Sequence, residues 1–187
     1  PIIKLTGKDV SMLYTAGGYY KVYLTCDGSP LEGKIVSITI GTKTYEKTTD
    51  SKGYASLKIT LAPKTYQVTA SYGKLKVSNK VAVKNIIKAK NLKAKKSAKS
   101  IKVKISLKKV NKKYLKGKSI TLKFNKKTFK AKTNKKAIAT FTIKKSAYKK
   151  LKIGKKYSYK VFYAKNTINK TIKFKKCISK SWQFISN

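Results

Sequence analysis

The sequence has no histidine and no arginine, so all 48 of its basic residues are lysines, and only Asp9, Asp27, Glu32, Glu46 and Asp50 oppose them. Much chemistry is excluded at once. General acid and base work near neutral pH recruits histidine or carboxylates of shifted pKa, and the first are missing while the second are few. A serine or threonine nucleophile needs a neighbouring base and a group to orient it, and only lysine is on offer. Asp27 and Glu32 share a loop, but an aspartate there is expected to set the turn. No enzyme activity, cofactor or small-molecule substrate is expected. Cysteine is scarce too. Cys26 and Cys177 lie in different halves and make no disulfide framework. With no histidine and two cysteines a structural zinc site lacks ligands. Calcium wants clustered oxygens, and the second half offers no carboxylate, so no metal site is expected. No apolar run approaches the ~18 residues of a membrane-spanning helix, so the segment is expected to be soluble by itself. Pro1 opens the chain with neither a basic start nor an apolar stretch, so any secretory signal is expected to have been removed already or to lie outside this sequence.

What is present is a repeat. Gly33 to Leu57 returns as Gly117 to Phe141 without a gap, each residue recurring 84 positions later, as Gly33 and Gly117 or Leu57 and Phe141 do. Val36, Ile38 and Ile40 fall on Ile120, Leu122 and Phe124, and Ala55 and Leu57 on Ala139 and Phe141. Apolar residues step by two within each copy, the period of a strand with one buried and one wet face. Between the runs, Thr49-Asp50-Ser51-Lys52-Gly53 carries turn chemistry: Asp accepts bonds from its own turn and Gly takes positive φ. It reads as a hairpin closed by a type I turn and a G1 bulge. The second copy has Ala137 where Gly53 stood, so either that turn changes type or Ala137 carries strain.

The repeat divides the chain into a domain at 1–84, a second at 85–176 and a tail at 177–187. About seven short antiparallel strands per unit predict two tandem immunoglobulin-like Greek-key β-sandwiches, all-β, forming a rod segment. An up-and-down barrel is the alternative. Ile2 to Leu5 with Val10 predict an opening strand, and Ile86 and Ile87 lead into the second domain. Lys144 to Lys152 is inserted in the second copy, where Tyr148 and Leu151 three apart predict one or two helical turns capped by Ser146. Tyr20, Tyr45, Tyr66 and Tyr72 are placed inward, whereas Tyr14, Tyr19 and Tyr148 are candidates for exposure.

Charge is split unevenly. Residues 1–84 hold 13 lysines and all five acids, a net of +8, whereas residues 85–187 hold 35 lysines and no acid, a net of +35. Lysine on alternate positions, as in Ile101-Lys-Val103-Lys-Ile105, is an ordinary way to fill a solvent face. A surface of one sign nevertheless concentrates polyanions around it. The polyanion-binding candidates are adjacent lysines of the second domain, spread diffusely: Lys95, Lys96, Lys112, Lys113, Lys126, Lys127, Lys135, Lys136, Lys149, Lys150, Lys155 and Lys156.

Ile3-Lys-Leu-Thr-Gly-Lys-Asp9-Val10, Gly28-Ser-Pro30-Leu31-Glu-Gly33, Thr49-Asp50-Ser-Lys-Gly53 and Leu61-Ala-Pro63-Lys-Thr-Tyr66 together resemble the immunoglobulin-like repeats of adhesin-like surface proteins of methanogenic archaea. More distantly, they are similar to the bacterial Ig-like repeats of invasin-type adhesins. The likeness covers most of residues 1–84; the second repeat is similar through Leu115-Lys-Gly117 and Thr133-Asn134 but lacks the turn Gly and the Ala-Pro. The resemblance implies a stalk at the cell surface, accompanied by further Ig-like repeats in a longer parent chain. It supplies no catalytic or ligand residue. The expected function is that of a non-enzymatic, extracellular adhesin-like segment whose polycationic domain is held to an anionic cell-wall or surface polymer, or to a neighbouring cell. The rival is a nucleic-acid-binding basic β protein. Zero arginine argues against specific nucleic-acid recognition, because guanidinium grips phosphate at two points and stacks on bases.

Overall fold

The computed structural model describes residues 1–176, and its contacts divide the chain into two compact units that meet between Ile86 and Ile87. In the first unit the strands are β1 (Ile3–Gly7), β2 (Val10–Leu13), β3 (Tyr19–Cys26), β4 (Ser29–Pro30), β5 (Ile35–Ile40), β6 (Lys43–Thr48), β7 (Tyr54–Lys58), β8 (Lys64–Tyr72) and β9 (Leu75–Lys84). One sheet holds β1, β3 and β7, with β4 on the end of β3; the other runs β2-β9-β8-β5-β6. The second unit has β10 (Ile87–Lys88), β11 (Leu92–Lys95), β12 (Ser100–Leu107), β13 (Ser119–Phe124), β14 (Lys127–Lys132), β15 (Ile138–Lys144), β16 (Lys156–Tyr163) and β17 (Asn166–Lys175). Its sheets are β10-β12-β15 and β11-β17-β16-β13-β14. Each unit is an immunoglobulin-like Greek-key β-sandwich.

Alternation makes the cores. Tyr20, Val22 and Leu24 on β3 face Val36, Ile38, Val68, Ala70 and Val81 of the other sheet, and all are fully buried. In the second unit Val103, Ile105, Phe141 and Ile143 meet Ile120, Leu122, Phe124, Val161, Ile172 and Phe174 in the same way. Leu57 and Phe141 are interior at 6% and 2% exposure, as the repeat predicts. Buried tyrosines keep a partner for the hydroxyl: Tyr20 donates to Asn79 Oδ1 at 2.8 Å and Tyr159 to the Lys90 carbonyl at 2.6 Å. Burial, helped by Asp9, pushes Tyr20 up to about 12, and burial alone does the same to Tyr159.

The structure corrects several readings. Thr49 to Gly53 does not close a hairpin, since β6 pairs with β5 and β7 with β3 in the opposite sheet. The hairpin is β5–β6, closed by Gly41 and Thr42. The turn chemistry was nevertheless legible: Gly53 N–H donates to Asp50 O at 2.8 Å, Asp50 N–H to Tyr54 O at 3.0 Å, and Gly53 has φ 76°. Asp50 Oδ1 accepts from the amides of Lys52 and Tyr54. The second unit repeats every one of these bonds around Asn134, with Ala137 at φ 57°, so the turn is kept and the alanine takes the strained backbone.

Pairing is not antiparallel throughout. The opening strand splits: β1 adds to β3, then the chain changes sheets and β2 runs parallel to β9, as β11 does to β17. The inserted segment forms a single 3-10 turn, Lys145–Ala147, whose N-cap is Lys144 with no side-chain cap, so Ser146 does not cap it. Tyr14 and Tyr148 are buried rather than exposed, because the switch of sheets covers one and the 3-10 turn folds the other over Phe174, ring centroids 5.2 Å apart. Tyr45, Tyr66 and Tyr72 are half-buried, since they sit near strand ends or on the edge strand where the opposite sheet no longer reaches. Cys177 and the rest of the tail lie outside the described residues.

Candidate polyanion-binding surface

The twelve candidate lysines do not form one patch. Strand directions put Lys112, Lys113, Lys135 and Lys136 at one end of the second sandwich, in the β12–β13 and β14–β15 connections. At the opposite end lie Lys126 in the β13–β14 turn and Lys127 at the start of β14, Lys149, Lys150, Lys155 and Lys156 around the insertion, and Lys95 and Lys96 at the close of β11. Asn125 ties two of those loops together, its side-chain amide donating to the Ala147 carbonyl at 2.7 Å. Strands of six to ten residues at ~3.3 Å each hold the two ends ~20–30 Å apart. That exceeds the ~8 Å Debye length at physiological ionic strength, so the charges at the two ends are screened from one another.

All twelve are exposed except Lys96. Its ammonium donates to the carbonyls of Tyr148 and Leu151 and stands 5.3 Å from the Phe174 ring centroid. It holds the insertion down on the sheet through two carbonyls of the segment that follows the 3-10 turn, and adds a cation–π contact. Lys96 is therefore engaged within the fold, unlike the other eleven candidates.

The strongest charge feature is one that sequence reasoning missed. On the outer face of the five-stranded sheet, Lys93, Lys173 and Lys156 stand side by side across β11, β17 and β16. Lys95 lies beside Lys175, and Lys123 beside Lys160. Neighbouring strands are ~4.8 Å apart, and like charges directly opposite each other are destabilising. The period of two marked each of these lysines as outward. Their juxtaposition depends on registers between segments up to 80 residues apart, as in Lys93 and Lys173, which no local pattern carries.

The first unit supplies an internal comparison. Where the second has Lys93–Lys173–Lys156, the first has Ser11–Ala82–Thr65 in the same row, and where the second has Lys123–Lys160 the first has Thr39–Thr69. The fold is built equally well with small neutral residues there. Among the described residues no group of His, Cys, Asp and Glu could hold a metal ion.

No family model matches the chain and no curated protein is similar to it at a significant level. Among solved structures it is similar to the I9–I11 tandem of titin, at 16% identity and a TM-score of 0.44, covering 94% of this chain and 66% of that one. The D0-D1 domain of intimin is similar at 16% identity and a TM-score of 0.37, over 93% of this chain and 100% of that one. A Ca2+-stabilized ice-binding adhesin of an Antarctic bacterium is similar at 17% identity and a TM-score of 0.31, over 94% of this chain but 49% of its own. Strand order and register define the fold without them.

Proposed function

We propose that the chain is a non-enzymatic segment of an adhesin-like protein at the surface of an archaeal cell, a stalk of Ig-like repeats outside the membrane. Its second unit is held to an anionic polymer of the cell wall, or of a neighbouring cell, while the first gives reach. One observation carries this reading: the like-charged rows Lys93–Lys173–Lys156 and Lys123–Lys160 stand where the first unit folds with Ser11–Ala82–Thr65 and Thr39–Thr69. Side-by-side lysines repel, so the rows are expected to cost the fold some stability, offset at Lys123 by its contact over the Phe162 ring. A polyanion laid along them would relieve the repulsion, release condensed counterions and stabilise the folded unit by binding it alone.

The test is retention of the full chain on isolated anionic cell-wall polymer across a salt series. A variant carrying the first unit's residues, Lys156→Thr, Lys173→Ala and Lys160→Thr, is run beside it. The native chain should bind with steep salt dependence. The variant should bind more weakly, with a shallower salt slope, while its second unit melts a few degrees higher, since a gain of ~1 kcal/mol moves a domain of this size by about 4–8 °C. Salt-independent retention, or a variant that binds as tightly, would refute the proposal. Preference for single-stranded DNA over the wall polymer at equal charge would move the reading to nucleic acid.

A further inference from the structure

The outer face of the three-stranded sheet in the first unit carries a cluster that the lysine rows do not account for. Tyr19, Lys21 and Tyr23 point outward along β3, and Tyr54 lies directly across from Tyr23 on β7. The Tyr23 and Tyr54 rings stack with centroids 4.9 Å apart at 29°, and the Lys21 ammonium stands 6.0 Å from the Tyr54 centroid. Tyr19 is 47% exposed and Tyr54 38%. Together with Thr6, Gly7, Lys8 and Val10, where the chain changes sheets, they line a groove of about 430 Å³.

The second unit again shows what the fold requires. Matching registers put Lys102 at the position of Tyr19, Lys104 at Lys21, Ser106 at Tyr23 and Ile138 at Tyr54. No aromatic is needed on this face. Three tyrosines nonetheless gather there in the unit with the lower charge, beside two lysines. Tyr19 and Tyr23 are four residues apart on one strand, ~13 Å, so one extended polymer would span both platforms.

We infer that this groove binds a short stretch of an acidic polysaccharide, with pyranose rings laid on Tyr19 and on the Tyr23–Tyr54 pair and a carboxylate held by Lys21 or Lys8. The ratio of rings to cations decides the class. A nucleic acid brings a phosphate with every base and would be served better by the Lys102–Lys104 face. A sugar polymer offers an apolar ring face at each unit and a charge at some. Tyrosine suits it, being a rigid amphipathic surface whose hydroxyl also bonds to sugar hydroxyls.

This inference does not rest on the lysine rows, and its test is separable from theirs. The full 187-residue chain is titrated with polygalacturonate oligomers, with the same oligomers after carboxyl reduction, and with polythymidylate. The titrations run in about 1 M salt, where the Debye length is ~3 Å and diffuse lysine attraction is screened. The chief variant takes the second unit's residues, Tyr19→Lys, Tyr23→Ser and Tyr54→Ile. It adds a positive charge, so simple electrostatics demands tighter binding whereas ring stacking demands weaker. We expect binding of both sugar oligomers to fall about tenfold, a loss of ~1.4 kcal/mol, while retention on ringless polyglutamate in low salt, which reads the lysine charge, does not fall. Tyr19→Ser alone, at a half-exposed position, keeps the test open if the triple variant does not fold, and should weaken sugar binding about threefold. Unchanged or tighter sugar binding in the variants would overturn the inference. So would a preference for polythymidylate, or sedimentation showing a native dimer that the variants abolish, which would make the cluster a contact between copies.

Discussion

Gly53 and Ala137 occupy the same corner of the two sandwiches, and exchanging them should have very unequal effects. Both have positive φ, 76° and 57°, and both turns make the same hydrogen bonds. For Gly53→Ala the left-handed backbone costs ~1–2 kcal/mol. The new Cβ would also stand 2.7 Å from the Leu24 carbonyl oxygen, 3.1 Å from a Tyr23 ring carbon and 3.2 Å from Pro30 Cα. Two of those three atoms are backbone, and the Leu24 amide is itself bonded to the Gly53 carbonyl, so β3 and β4 must shift together. Strain and clash together should cost about 2–4 kcal/mol. Ala137 already carries its methyl in the same turn. Its loop has no counterpart of β4, only a Val110–Lys113 bridge farther along, and its methyl is fully buried without displacing the turn. Ala137→Gly relieves ~1 kcal/mol of backbone strain but loses a buried methyl of ~0.8 kcal/mol and adds unfolded-state freedom, so the net should lie within about 1 kcal/mol of zero. Hydrogen exchange along a urea series reads the two units separately. Gly53→Ala should lower the first unit's thermal midpoint by at least about 8 °C, at 4–8 °C per kcal/mol. A loss under about 1 kcal/mol there, or a gain above about 2 kcal/mol for Ala137→Gly, would refute the reasoning.

Phe141→Ala truncates a side chain at 2% exposure between the sheets of the second unit and should cost about 3–5 kcal/mol, whereas Lys135→Ser on the exposed turn should cost almost nothing; equal shifts in thermal stability would mean that β15 faces the other way. At alkaline pH the buried Tyr20, pushed up to about 12, stays protonated in the fold while its unfolded counterpart ionises near 10, so the unfolded state binds fewer protons and stability falls as pH rises from 10 toward 12. Below pH 10 that contribution is fully present. The loss in the first unit should reach about 2–3 kcal/mol by pH 12 and should be flattened by Tyr20→Phe, and denaturation curves with the same alkaline slope for both proteins would contradict it.

The linear chain by itself determined the elements and their faces. An offset of 84 marks Leu57 and Phe141 as equivalent, and a period of two sends both into the core, because side chains on a strand alternate whatever the partner strand is. Asp50 and Gly53, and Asn134 in the repeat, specify a turn through bonds within five residues, so its chemistry was legible even where its role was not. Which strands that turn joins was decided only in three dimensions. The segment after Gly53 leaves β6 for the other sheet because Tyr20, Val22 and their neighbours on β3, some 30 residues earlier, offer it a partner, and that choice is made by burial of both sheets' faces at once. The same reason hid the candidate sites. Lys173 and Lys156 face each other across an antiparallel pair, and Lys93 joins them through a parallel register that closes only after the opening strand has changed sheets. Lys96 looked like its exposed neighbour Lys95 until the insertion folded over it and Tyr148 went inward. Tyr19, Tyr23 and Tyr54 become one surface only because β3 and β7 pair, a long-range pairing that no local pattern carries. Local periodicity encodes which side of a strand is wet; which wet residues become neighbours is fixed by long-range pairing, where the energy of many buried side chains outweighs any local preference.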